Sequence, residues 1–214
     1  MREEIQAEGI ARNIGGFSRF LDVAAGQFSE LINFSAIGRD CSLPVRTVQS
    51  YYEILEDTLI GFRLEPWRKS IRKRLRAHSK FYFFDNGVTN AINTMLSATI
   101  NGTLKGKLFE QFIVQEVYRA ISYSLSEARI YYWRTNHGAE VDLIIGKHGR
   151  IKAALEIKSS AVISGAHLSG LRAFRQENKD VPLYVITTND EAYKLDGVNI
   201  LPWRKFIHNL DRYL

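Results

Sequence analysis

Apolar residues recur at helical spacing through the first hundred residues and mostly at strand spacing after that. The run Gly16–Ala25 places Phe17, Phe20, Leu21 and Ala24 on one face, which predicts a helix, and a short helix is predicted over Phe34–Arg39. Ser42 offers an N-cap and Pro44 sits in the first turn of a third helix reaching Asp57. Its predicted inner stripe is Val45, Val48, Tyr52 and Leu55, which leaves Arg46, Thr47 and Ser50 outward and Gln49 at the flank. Two strand-like runs, Thr58–Leu64 and Lys80–Phe84, then bracket a basic stretch. Three helices followed by a two-stranded hairpin are the plan of a winged helix-turn-helix.

From Asp85 to about Leu104 the pattern gives a short helix and a polar connector punctuated by Asn101-Gly102. This places a boundary between a winged helix-turn-helix domain, residues 1–95, and a second domain, residues 104–214. The second opens with an amphipathic helix, Gly106–Tyr123, carrying Leu108, Phe112, Val117 and Ile121. Strands are predicted over Arg129–Arg134, Ala139–Ile145 and Ile151–Ile157, a helix over Gly165–Gln176, and strands over Pro182–Thr187 and Val198–Leu201. A helix over Trp203–Tyr213 closes the chain. The order α-β-β-β-α-β predicts a mixed sheet flanked by helices, so the fold class is α/β in the broad sense, or α+β.

Composition narrows the picture. The chain has 214 residues, 45% of them hydrophobic and 24% charged, enough to bury a core without covalent staples. Its one cysteine, Cys41, excludes an internal disulfide framework and a multi-cysteine zinc site. No apolar run reaches membrane-spanning length and no secretory h-region follows Met1, so no membrane partner and a cytoplasmic location are expected. Net charge is +6, which is compatible with a polyanionic partner without requiring one. The segment Pro66–Lys80 concentrates seven Lys/Arg and no acid, among them Arg68, Lys69, Arg72, Lys73, Arg74 and Arg76. Read as the tip of the wing, it would add salt-sensitive phosphate contacts to those of Arg46, Thr47, Gln49 and Ser50 on the third helix; read plainly, it is a solvated loop or a dock for an acidic protein.

The candidate chemistry lies in the second domain. Asp142 interrupts the apolar run Val141–Ile145, and Glu156 and Lys158 end the next strand-like run on one side of it. Two carboxylates on neighbouring strands with a lysine at the rim suit a divalent metal and a scissile phosphate. Asp142 would be the central ligand and Glu156 the second, with the Ile157 carbonyl a third. Glu110, on the preceding helix, would ligate through a water or hold a second metal, and Lys158 would stabilise the attacking hydroxide. Mg²⁺ or Mn²⁺ is the expected cofactor. Glu140 shares strand parity with Asp142, and His137 falls in the turn Asn136–Gly138.

Together, Glu110, Asp142, Glu156 and Lys158 on this order of elements resemble the PD-(D/E)XK nuclease pattern, with Glu140-Val141-Asp142 where that pattern has Pro-Asp. More widely, Glu3–Ile14, Ser50–Thr58, Lys80–Gly87, Tyr132–Arg134 and Glu140–Asp142 resemble the C-terminal region of a prokaryotic family of AAA-type ATPases that carries a DUF4143 domain. In that family an ATPase module with a P-loop precedes this region. Here Gly102–Lys107 lacks the P-loop spacing, so no ATPase activity is expected of the chain. The resemblance implies a stand-alone form, a partner of a separately encoded AAA-type ATPase module, or a truncated reading frame.

The leading expectation is a metal-dependent DNA nuclease gripping its duplex through the winged-helix half. The runner-up is a non-catalytic DNA- or protein-binding module. A third reading is a regulator whose winged helix binds an operator.

Overall fold

A computed structural model describes residues 13–67, 78–97 and 99–214. The chain divides into two compact units, residues 1–63 with 78–99 and residues 64–77 with 100–214.

In the first unit, α1 (Ile14–Gly26), α2 (Phe34–Cys41) and α3 (Val45–Asp57) precede a two-stranded sheet, β1 (Gly61–Leu64) with β2 (Lys80–Phe83), and a short α4 (Asn86–Ile92) follows. The expected stripe of α1 is buried, as Phe17, Phe20, Leu21 and Ala24 all lie inside. Asn13 caps α1 by accepting from the Gly16 amide, and Asn33 caps α2 by accepting from the Ala36 amide. An aromatic core fills the unit, with Tyr52 set edge-on to Phe20 at 4.9 Å and to Phe81 at 4.9 Å.

At α3 the structure departs from two local expectations. Ser42 does not cap α3; it ends α2 in the left-handed conformation (φ 54°), and Pro44 occupies the N-cap without a side-chain bond. The chain must reverse within three residues between the two helices, and a C-terminal left-handed residue satisfies that geometry. Val45 therefore turns outward, 40% exposed, and Tyr51 takes the buried place beside Val48, Tyr52 and Leu55.

The second unit holds α5 (Gly102–Tyr123), β3 (Arg129–Arg134), β4 (Glu140–Lys147), β5 (Arg150–Lys158), a 3-10 turn (Gly165–Leu168), α6 (Ser169–Glu177) and β6 (Leu183–Thr187). It continues through β7 (Tyr193–Leu195), β8 (Val198–Pro202), α7 (Trp203–His208) and a second 3-10 turn (Leu210–Arg212). The sheet order is β3-β4-β5-β6-β8-β7, antiparallel from β3 to β5, parallel from β5 through β6 to β8, and antiparallel again at β7. The sheet is mixed, as expected; the three-residue β7 was not foreseen, and the closing helix is shorter than predicted.

Helices cover both faces. Leu171 and Phe174 of α6 pack with Ile144, Ala154, Leu183 and Val185. On β6, Tyr184 points the other way and meets Tyr213, which touches Phe206 of α7, while Trp203 of α7 meets Phe112 of α5. Close approach of α6 to β4 depends on Gly170, where a Cβ would stand 1.8 Å from the Glu140 carbonyl oxygen.

Pro66 and Trp67 do not belong to a wing tip. The Trp67 amide donates to the Tyr132 carbonyl at 2.6 Å, the Tyr132 amide donates to the Glu65 carbonyl at 3.0 Å, and the Trp67 ring stands edge-on to Tyr131 at 5.1 Å. An outer strand has unpaired backbone groups, and this segment pairs those of Tyr132 on β3.

Candidate functional site

The β4–β5 register explains the spacing noted in the sequence. Leu143 faces Leu155 and Ile144 faces Ala154, so the same register carried one step further sets Asp142 across from Glu156. The regular pairing stops at Leu143, and from there the Asp142 carboxylate replaces a backbone acceptor: its Oδ2 receives the Ile157 amide at 2.7 Å. Side-chain capture of a strand amide fixes the carboxylate in place. Glu156 and Lys158 continue the row of Ala154 on β5 and face one way.

Asp142 and Glu156 are each only 8% exposed. The Lys158 ammonium bridges them, with Nζ 2.6 Å from Glu156 Oε1 and 3.7 Å from Asp142 Oδ2. The other oxygen of Glu156, Oε2, is buried and has no hydrogen-bond partner. Burial pushes the Glu156 carboxyl up to about 8, with help from the Asp142 charge and, more weakly, Glu110, while Lys158 opposes the shift. Burial works against the Lys158 ammonium, yet Asp142, Glu156 and Glu110 together hold it above its ordinary range. Two buried carboxylates share one ammonium, and the second carboxylate keeps its proton. With both carboxylates ionised the cluster would lack one positive charge, and the proton on Glu156 makes up that charge.

Glu110 lies one turn before Val114 on α5, and Val114 is fully buried. One turn earlier, a Cβ on Gly106 would stand 3.8 Å from Ser159 Oγ, which sets the start of α5 beside the end of β5. The structure thus brings Asp142, Glu156 and Lys158 into contact, and Glu110 acts on them through its charge. Among the described residues no three His, Cys, Asp or Glu side chains gather into a metal-binding group. A cation bound by two carboxylates and waters matches Mg²⁺ chemistry, and the orphaned Glu156 oxygen is the free donor such an ion would take.

The other candidates sort plainly. Glu140 accepts from Arg134 at 3.0 Å, an ion pair on the strand surface. Trp133 is buried edge-on to Phe174. His137 sits in a tight turn closed by the bond from Gly138 to Thr135. On α3, Arg46, Gln49 and Ser50 are exposed and Thr47 is half-buried. Arg68, Lys69, Arg72, Lys73, Arg74 and Arg76 lie outside the described residues, as does most of the Glu3–Ile14 segment. Three further features carry no signal in the residue pattern: the Ile157 amide as anchor of Asp142, the buried Gln111 and Gln115 on α5, and the buried Thr187 at the end of β6.

Residues 105–206, which contain this cluster, match a family described as a domain of unknown function, DUF4143. A DUF4143 domain is present. Residues 1–99 match a second domain of unknown function, DUF8612. An uncharacterized protein of Mycobacterium tuberculosis and one of Mycobacterium bovis are each 30% identical over 138 residues, 63% of this chain and 30% of the relative. The matched part thus spans under a third of those relatives' length. No solved structure matches the chain. Within the DUF4143 domain, as elsewhere among the described residues, no helix is long and apolar enough to cross a membrane.

Proposed function

We propose that the DUF4143 domain is a Mg²⁺- or Mn²⁺-dependent DNA nuclease of the PD-(D/E)XK kind, with a restriction-endonuclease-like arrangement, served by a DNA-binding winged helix in the first unit. The observation that carries this reading is the buried Glu156 Oε2, unpartnered beside Asp142 in a cluster where two carboxylates share one ammonium. A core does not gain stability from such an atom, whereas a cation site needs it.

Asp142 and Glu156 would hold the ion, with Asp142 kept in place by the Ile157 amide. A divalent cation held there would supply Lewis-acid activation of water and would neutralise phosphate charge. Lys158, on the same strand face, would orient the attacking water and meet the charge that grows on the phosphate. Glu110 would add negative potential or engage through a water.

For the first unit, support comes from α2 and α3, joined by the three residues Ser42–Pro44, with Gly38 packed so closely that a Cβ would stand 2.8 Å from the Leu43 carbonyl oxygen. Such a joint fits a helix-turn-helix, and it leaves Arg46, Gln49 and Ser50 exposed on the second helix. An AAA-type ATPase module remains the proposed partner protein.

The test is cleavage of plasmid DNA with Mg²⁺ or Mn²⁺. Asp142→Asn and Glu156→Gln should each lower the rate by on the order of 100-fold or more while DNA retention stays unchanged. A wild-type protein that retains DNA but never cleaves it would transfer the case to the non-catalytic binding module.

A further inference from the structure

The carboxyl end of β5 is held in a way the nuclease reading does not use. The last ladder pair between β5 and β6 is Lys158 with Thr187, so the proposed catalytic lysine is the terminal residue of its strand. Strand ends fray, and a four-carbon side chain on a fraying residue would sweep a wide arc. Here the constraint extends beyond the ladder. The Thr187 hydroxyl donates to the Ser160 carbonyl, and the Thr188 hydroxyl donates to the Ser159 carbonyl at 3.4 Å. Thr187 is fully buried. Further on, Ser160 Oγ donates to the Val162 carbonyl at 2.9 Å and accepts from the Val162 amide at 3.2 Å, closing the turn on itself.

We infer that Thr187 is a positioning residue: its buried hydroxyl clamps the chain two residues past Lys158 and so fixes the ammonium between Asp142 and Glu156. The geometry gives the reason for threonine at this place. Thr187 shares a sheet face and a register step with Lys158, and β6 parity turns it toward the buried side with Val185 and Leu183. An apolar residue of the same shape would fill that space equally well, so the hydroxyl itself is the feature to be explained. It supplies the donor for a carbonyl that has left the ladder, and it does so next to the residue whose placement matters most. Thr188 repeats the device one step out, through a longer and more exposed bond, which makes it the weaker of the two clamps.

This inference rests on the nuclease reading, and its test separates the two. Thr187→Val keeps the branched shape and removes the hydroxyl, whereas Thr187→Ser keeps the hydroxyl and removes the methyl. Two quantities are measured on the full chain: plasmid cleavage with Mn²⁺, and hydrogen exchange of the Ser159–Val162 amides by mass spectrometry without metal. Thr187→Val should lower kcat by on the order of 10-fold with KM within 2-fold, and should raise exchange across Ser159–Val162 by at least about 10-fold. Thr187→Ser should restore both toward wild type. Cleavage by wild type with kcat unchanged in Thr187→Val overturns the positioning role and leaves the nuclease reading intact. Equal loss in both variants also overturns it, since packing and not the hydroxyl would then be at work. No cleavage by wild type under any metal overturns both. Exchange unchanged in Thr187→Val overturns the clamp whatever the activity.

Discussion

Replacing Glu156 with glutamine should make the DUF4143 domain more stable in alkaline solution. Glu156 is buried, faces Asp142, and takes a proton up to about pH 8 in the folded protein, against an ordinary value of 4.5. Between those two values the unfolded chain has released this proton and the folded one has not, so the stability that Glu156 contributes is complete below 4.5 and is lost as pH rises through 8. At roughly 1.4 kcal/mol per pKa unit the full linkage is at most about 5 kcal/mol. The Lys158 ammonium, 2.6 Å from Oε1, stays to receive the ionised carboxylate, and a loss of about 2 kcal/mol is the expected size.

Glutamine keeps the shape and cannot ionise, so Glu156→Gln should lack this slope. The three tryptophans, Trp67, Trp133 and Trp203, all lie in the second unit, and their fluorescence therefore follows its unfolding alone. Urea titrations at pH 5 and pH 8.5 should show wild type losing about 2 kcal/mol more than the variant between the two. Added Mn²⁺ should restore wild type at pH 8.5 and leave the variant unmoved. Parallel stability-versus-pH curves for the two proteins would refute the account of the cluster, because titrating groups not coupled to Glu156 cancel in their difference.

Lys158→Met removes the one ammonium that contacts both carboxylates and should cost about 3 kcal/mol at pH 8.5 but much less at pH 5, by the same fluorescence assay. Gly170→Ala places a methyl on the Glu140 carbonyl and should destabilise the domain by about 3 kcal/mol or prevent its folding, with the urea midpoint as the measure. Joint replacement of Arg72, Lys73 and Arg74 by alanine should reduce the slope of log affinity for duplex DNA against log salt by about 2 to 3 if these side chains meet phosphates; an unchanged slope would remove them from the interface.

The elements legible in the sequence were those with long, regular patterns. The α1 stripe, the Gly106–Tyr123 helix and strands β3 to β6 followed from spacing, because burial of one face forces the period. The candidate cluster was legible for a related reason: antiparallel pairing makes residues at constant sum of positions neighbours, and Asp142 with Glu156 lies on the same sum as Leu143 with Leu155. What failed was local or non-local in the wrong measure for pattern reading. Ser42 has cap chemistry at both kinds of helix end, and only the tightness of the Ser42–Pro44 turn decides which end it serves. The three residues of β7 are too few to show alternation. Pairing of Glu65–Trp67 with β3 joins positions more than sixty residues apart, and no periodicity announces such a partner.

Burial also decides between the plain and the chemical reading of Glu156-x-Lys158. A glutamate and a lysine two apart at a strand end usually form a solvated surface pair, worth little and exposed on both sides. Here both carboxylates are nearly inaccessible, one oxygen is unpartnered, and one ammonium serves two acids. Replacing such a cluster with apolar side chains of similar volume commonly leaves stability unchanged or raises it, so stability alone gives no reason for these residues. A cation held by Asp142 and Glu156 would give one: its charge would stand in place of the proton that burial keeps on Glu156, and the unpartnered oxygen would serve as its ligand. The same ion would bind more tightly as pH rises toward 8, when it no longer competes with that proton, and level off above it. Calorimetric Mn²⁺ affinity between pH 6 and 9 tests this, and an affinity that does not rise with pH over that range would separate the buried acid pair from metal binding altogether.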